Sequence, residues 1–290
     1  MNKLSPMIAA CLAATWFGWG STYLAIKFSL ASLPPFLGMG TRFIAAGLLL
    51  LAWTWHRHRS LPTRIQWRNG LIVGTLMLGG NVGGVAYAEQ WVASGLAVSF
   101  IAITPAALAI ASLPFGIRPA RLEIAGIVLG IVGVLLLASG KGFSGSPAGL
   151  IALIVAVLTW SGGSVLSQHV LPLARGAAGF STQLLGGGLA LTVASLVARE
   201  TLHWPPQPLA AAAWLYLVVF GSLIAFTAYM VLLSRTSTTL ASSYTFVNPV
   251  IALLLGVSLG GETVGALEWV AVAIIVTGVT AVVLARGRRR

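Results

Sequence analysis

Thr15-Trp16-Phe17-Gly18 reappears 144 residues later as Thr159-Trp160-Ser161-Gly162. Leu96-Ala97-Val98-Ser99-Phe100, followed by Thr104-Pro105, returns at the same spacing of 144 as Leu240-Ala241-Ser242-Ser243-Tyr244, followed by Asn248-Pro249. Thr41-Arg42-Phe43 with Gly47-Leu48 answers Thr182-Gln183-Leu184 with Gly188-Leu189 at 141, and Glu123 and Gly133 answer Glu268 and Gly278 at 145. The order is kept and only loop lengths drift, so the chain reads as two homologous halves, residues 1–144 and 145–290. Internal repetition of this kind is how many secondary transporters are built.

The solvent of this chain is a lipid bilayer. Charged residues are 8% of 290 and the mean hydropathy is +0.95, whereas a soluble domain carries about 25% charged residues. A helix needs roughly 20 apolar residues to cross the hydrocarbon. Ten stretches meet that need: 7–27, 36–55, 69–88, 91–115, 122–139, 148–168, 180–198, 212–233, 240–259 and 264–285. They are long and continuous, not the short alternating segments of a barrel. The first stretch is not followed by a small-residue cleavage site and reads as a span, not as a signal peptide.

Lys and Arg set the orientation. With the N-terminus in the cytoplasm, that side holds Lys3, Arg57, Arg59, Arg64, Arg68, Arg118, Arg121, Arg175, Arg235, Arg286, Arg288, Arg289 and Arg290, against Lys27, Lys141 and Arg199 opposite. Thirteen against three is a firm positive-inside bias. Much of the net charge of +12 is this asymmetry, and the basic tail suits anionic lipid headgroups better than nucleic acid. Five spans per half is an odd number, so the second half enters from the opposite side. The expected fold is all-α: ten transmembrane helices as two inverted five-helix repeats, with both termini cytoplasmic. The joint is Gly140–Pro147, whose Gly-Phe-Ser-Gly run is a turn, because Ser144 lies outside the membrane. The single Cys11 excludes an internal disulfide.

Candidate cargo contacts are the polar and aromatic residues at membrane depth. Trp53, Trp55, Trp67, Trp91, Trp204, Trp214 and Trp269 fall at or near span ends, as interfacial belts do. Trp16, Trp19 and Trp160 fall mid-span beside glycines, and either pack or form a flat aromatic wall. Arg42 lies about two turns into the second span, with Gln183 as its repeat mate. It either snorkels and pairs with a carbonyl or holds a cargo carboxylate through two parallel contacts. Asn81, Tyr87, Tyr229, Tyr244 and Asn248 complete the polar and aromatic set, and Lys27, at the end of the first span, is expected to snorkel. Pro105 and Pro249 sit at matched places in the fourth and ninth spans, where each removes a backbone donor and marks a hinge or a static kink. Gly79/Gly83, Gly80/Gly84, Gly126/Gly130 and Gly256/Gly260 have the small-xxx-small spacing of close helix packing.

The acids are Glu89, Glu123, Glu200, Glu262 and Glu268, all at or near span ends. With no carboxylate deep in the membrane, transport is expected to be secondary and weakly coupled or uncoupled to protons. There is no P-loop, no Asp, no HExxH and no clustered ligand set, so neither an ATP-driven pump, an intramembrane enzyme, a metal site nor a cofactor is expected.

Trp19-Gly20-Ser21, Lys27, Pro34-Pro35 and Arg42 resemble the opening pattern of the drug/metabolite transporter superfamily, EamA branch. The run from Asn248-Pro249 to Gly261-Glu262 resembles the branch's Pro-to-Glu signature. The resemblance covers nearly the whole chain, but the first-half place matching Glu262 reads Phe115-Gly116-Ile117-Arg118, with no acid, which argues against a symmetric role for Glu262. Within the branch the chain is similar to bacterial aromatic amino-acid exporters of the YddG type. The resemblance implies an inner-membrane permease that exports amino acids, aromatic or large neutral ones first, by alternating access. Other amphiphilic metabolites or drugs are the alternative cargo, and a non-transporting receptor or scaffold the alternative class. The partners so implied are the small-molecule cargo and membrane lipid, with no nucleic acid.

Topology is testable directly. A reporter fused after Arg290 is expected to be cytoplasmic and one inserted after Gly142 external. The reverse pattern would contradict the inverted-repeat reading.

Overall fold

The computed structural model describes residues 5–58, 61–116, 118–139, 146–202, 204–236, 238–241 and 243–287. Lys3, Arg59, Ser144 with the rest of residues 140–145 in the joint, and residues 288–290 of the basic tail lie outside them. The described residues form ten helical rods and no strand. α1 is Pro6–Gly20, continued after Ser21 as Thr22–Ser29, and α2 is Pro35–His58. α3 is Arg64–Gly74, a π-helical stretch Thr75–Gly80 and Asn81–Ala88. α4 is Ser94–Ile101 and Thr104–Ala111, closed by the 3₁₀ turn Leu113–Phe115, and α5 is Arg121–Ser139. α6 is Pro147–His169 and α7 is Gly176–Val197. α8 is Pro208–Tyr216, a π-helical stretch Leu217–Ile224 and Ala225–Arg235. After the short turn Thr238–Ala241, α9 is Tyr244–Ser258, and α10 is Ala266–Gly287.

The rods begin where local chemistry dictates. Ser5 accepts from Ile8 N–H with Pro6 in the first turn, and Ser146 accepts from Gly149 N–H with Pro147 in the same place. Thr63 and Gln66 make a reciprocal capping box on α3. Among the described residues seven helical stretches are long and apolar enough to cross a membrane. α1 is interrupted at Ser21 and α9 has only 15 residues, so neither offers a single helix of that length. The outer surface is hydrocarbon: Leu48, Leu135, Leu158, Leu196 and Val197 are all exposed. Such a surface is stable only in lipid, and the chain is a multi-pass membrane protein.

The rods pair in the way a two-fold repeat requires. α5 packs most extensively on α10, and α2 on α7, each with its own repeat mate. α1 lies against α8 and α9, and its mate α6 lies against α3 and α4. The π-helical stretches also match, one in each half, at corresponding places in α3 and α8. In lipid there is no hydrophobic drive between helices, so close backbone approach must supply the packing. At the α5/α10 crossing, a Cβ on Gly126 would stand 2.5 Å from the carbonyl oxygen of Gly278, and one on Gly278 would stand 2.7 Å from that of Gly126.

Gly126→Val is therefore expected to push α5 off α10 and to destabilise the fold by about 1–3 kcal/mol, read as a lower Tm in detergent. Gly162→Ala meets nothing within 4 Å and is expected to leave Tm unchanged. Equal effects of the two would contradict this packing account.

Candidate functional site

Packing of α1 on α8 and α9 closes an aromatic box. The Trp19 ring lies 5.2 Å from Tyr229 and 4.7 Å from Tyr244, and the two tyrosines are 5.6 Å apart, edge to face. Tilted and edge-to-face geometries match the ring quadrupoles, so the three rings hold one another. Trp16 Nε1 donates to Ser243 Oγ at 2.9 Å. In the amide orientation that suits its surroundings, Asn248 donates to the carbonyls of Trp16 and Tyr244, at 3.1 and 3.2 Å.

The π-helical stretch of α8 extends this box towards Arg42. Trp19 Nε1 donates to the Gly221 carbonyl at 3.1 Å. The next residue, Ser222, accepts from Arg42 Nε at 3.1 Å. Arg42 is buried, with Nη1 3.5 Å from Met39 Sδ and the guanidinium carbon 4.9 Å from the centre of the Phe43 ring. Glycine at 221 leaves room for the guanidinium: a Cβ would stand 2.8 Å from both Arg42 Nη2 and Thr22 Cγ2, so a larger residue would press Arg42 aside. A π-bulge re-aims backbone groups in this way and is common at functional sites. Among the described residues no carboxylate pairs with Arg42.

Six of the residues singled out from sequence thus come together: Trp16, Trp19, Arg42, Tyr229, Tyr244 and Asn248. The other four do not join them. Asn81 Nδ2 donates to the Ala156 carbonyl at 3.0 Å and ties α3 to α6. Tyr87 stacks on Phe36 at 5.7 Å and meets Trp91 edge-on at 5.0 Å, at the end of α3. Trp160 packs half-buried on the apolar core. Gln183 donates to the Gly179 carbonyl one turn back on its own helix. The two prolines also differ. Pro105 follows a break in α4 at Ala102 and Ile103, whereas Pro249 lies inside the unbroken α9.

A second polar cluster was not legible as one. Lys27 does not snorkel: its Nζ is 2.7 Å from Glu262 Oε1. The loop before α10, turned by Gly261 at φ 62°, brings that carboxylate back onto the start of α4. Glu262 Oε1 accepts from Ser94 N–H and Ser94 Oγ, both at 2.8 Å, and Oε2 accepts from Gly95 N–H at 3.1 Å. α4 has no side-chain cap of its own, so Glu262 supplies the anion that its N-terminus attracts. Burial alone would raise the Glu262 carboxyl. The bonds from Lys27, from the Ser94 and Gly95 amides and from the Ser94 hydroxyl outweigh it and hold the carboxyl below its usual range. Glu200 does the same for α2, accepting from Phe36 N–H at 3.1 Å and Leu37 N–H at 2.8 Å.

Glu89, the residue after α3, is 4% exposed. Neither of its oxygens has a hydrogen-bond partner among the described residues. Burial pushes its carboxyl well up, and the Glu262 charge adds to this, while Lys27 partly offsets it. The acids do lie at or near the helix ends, Glu123 and Glu268 in the first turns of α5 and α10, but an end is not water, and the one at Glu89 is sealed. No group of three or more metal-ligating side chains occurs among the described residues. Two open, almost purely apolar clefts of about 360 and 180 Å³ border α4 and α6 and contain neither polar cluster.

A lipid-facing helical bundle of two repeats, with buried polar residues between them, is the architecture of a membrane transporter. The EamA-like transporter family matches residues 4–139 and again 147–284, and the chain belongs to that family. The protein named "Uncharacterized inner membrane transporter YedA" of Escherichia coli K12 is 40% identical over 98% of this chain and 93% of its own length. A WAT1-related chloroplastic protein of Arabidopsis thaliana is 28% identical over 92% of this chain and 67% of its own. "Protein PecM" of Dickeya dadantii is 27% identical over 82% of this chain and 79% of its own. A solved crystal structure superposes with a TM-score of 0.67 at 21% identity, covering 97% of this chain and 98% of that one, which shows a common fold.

Glu262 bears on stability with a definite sign. Its carboxyl is depressed in the fold, so its contribution is present above the ordinary carboxylate range and is lost as pH falls through the depressed value. Glu262→Gln is expected to cost roughly 2 kcal/mol near neutral pH, measured by thermal unfolding, with wild type and variant converging in acid. A constant difference down to about pH 3 would contradict the ion-pair account.

Proposed function

We propose that this transporter exports aromatic or large neutral amino acids across the bacterial inner membrane by alternating access. The supporting observation is Arg42, a buried guanidinium without a carboxylate partner, joined through Gly221 and Ser222 to the ring of Trp19. A buried cation wants an anion, and a guanidinium suits a carboxylate held by two parallel bonds. The rings of Trp19, Tyr229 and Tyr244 suit a flat apolar side chain, and Trp16, Ser243 and Asn248 supply neutral polar groups beside them. Cargo bearing a carboxylate and a ring fits this arrangement better than a cationic drug. In this reading the helices span the membrane ten times. Residues 1–144 and 145–290 are inverted repeats, the termini are cytoplasmic, and the name of the Escherichia coli relative favours the inner membrane. Pro105 and Pro249 are the hinge pair. Asn81, Tyr87, Trp160 and Gln183 line the opened path instead of the box.

Counterflow of labelled tryptophan, phenylalanine and tyrosine in proteoliposomes tests this. Arg42→Lys is expected to lower the exchange rate at least about tenfold, since an ammonium cannot reproduce the fork. Trp19→Ala is expected to reduce exchange more than Trp160→Ala. Unimpaired exchange in Arg42→Lys, or exchange of cationic drugs in place of amino acids, would overturn the cargo assignment.

A further inference from the structure

Glu89 is a buried acid outside the proposed transport site. Glu123 and Glu200 accept backbone N–H groups, as Glu262 does, but Glu89 is buried and neither of its oxygens meets a donor among the described residues. An ionised carboxylate in such a place costs several kcal/mol, and a neutral acid far less. The ionisable groups whose charges act on it are Tyr23 and Lys27 of α1 and Glu262 of the loop before α10. The charge of Lys27 is already engaged by Glu262. α2 carries Arg42 and, at its N-terminus, the carboxylate of Glu200, both held by other partners. α6 meets the last turns of α3 with Ala152 and Ala156, against Gly84.

We propose that Glu89 is a proton-binding site whose protonation allows the Lys27–Glu262 end of the bundle to close. Such a latch presupposes the two-state transport cycle proposed above and adds its gate. In the closed state Glu89 is a neutral acid, and Lys27 is held by Glu262. In the open state water reaches Glu89, it ionises, and it competes with Glu262 for the Lys27 ammonium. Closing forms one O–H bond on a Glu89 oxygen with a proton from the solution on that side. Opening returns the proton to the same solution, so no other reactant is needed. The sign follows from linkage. The acid is weaker in the closed state, so closure is unhindered below the ordinary carboxylate range. Above that range the closed-to-open ratio falls by up to about tenfold per pH unit, until the raised closed-state value is passed.

The test uses the full chain in nanodiscs with no cargo present, so it does not depend on which solute is carried. Amide hydrogen exchange over residues 85–97, corrected for its intrinsic pH dependence, reports opening at Glu89 and Ser94. In wild type, exchange is expected to rise by up to about tenfold per pH unit across the window. In Glu89→Gln it is expected to stay low and flat. An infrared carboxylic-acid C=O band of the wild type, persisting near neutral pH and titrating with the same midpoint, gives a readout that needs no variant. Matching pH profiles in wild type and Glu89→Gln, or the absence of that band near neutral pH, would overturn the proposal.

Discussion

Hydrocarbon offers no hydrogen bonds, so each buried polar group of this protein must find its partner inside the fold. Most serines and threonines obey by bonding back to carbonyls one turn earlier, as Thr54 does to Leu50 and Ser99 to Gly95, while the buried Ser161 hydroxyl has no partner among the described residues. The starts of α2 and α4 obey by taking carboxylates from distant loops, Glu200 and Glu262. The indoles of Trp16 and Trp19 obey by reaching across to Ser243 and Gly221. These bonds decide which helix faces which. The exceptions are therefore informative. Among the described residues Arg42 has a hydroxyl, a thioether and a ring but no carboxylate, and Glu89 has no donor.

α1 connects the surroundings of Arg42 to those of Glu89. Its first segment carries Trp16 and Trp19 into the aromatic box, and its second carries Tyr23 and Lys27 to Glu89 and Glu262. The segments meet at Ser21, whose hydroxyl lies 2.6 Å from that of Tyr216, just before the π-helical stretch of α8. A movement of α1 against α8 would therefore disturb the Trp19–Gly221 bond and the Lys27–Glu262 pair together. This gives a physical route by which occupancy of the box and closure of one end can be linked. The route consists of packed side chains and the Lys27–Glu262 ion pair, and each member can be replaced singly.

The repeat, the membrane and the helical class were legible because each is written in many residues at once. A spacing of 144 recurs in several motifs, and apolar stretches of span length need no tertiary information. Trp16, Trp19, Tyr229, Tyr244 and Asn248 were legible only as members of a larger candidate set, because mid-span aromatic and amide groups are costly wherever they lie. Asn81 and Gln183 carry the same signal but bond to helix carbonyls away from the box, a difference that depends on rotation about the helix axis. The π-helical stretches were not legible, since Gly and apolar residues within a span read as ordinary helix. Lys27 with Glu262, and the sealing of Glu89, depend on how a loop 235 residues away in the chain folds back. Sequence distance conceals such pairs. The Gly-Gly turn before Glu262, beside a helix start without an acid of its own, was the available hint.

In the proposed cycle Arg42 receives the carboxylate of an aromatic cargo. Nitrogen NMR of the guanidinium in selectively arginine-labelled protein observes that group itself, with Arg42→Lys assigning its signal. On adding tryptophan the account predicts a shift and slowed exchange of the Arg42 N–H protons, and no such change with tryptamine, which has the ring and amine but no carboxylate. An equal response to both ligands, or none to tryptophan at concentrations that saturate counterflow, would contradict it.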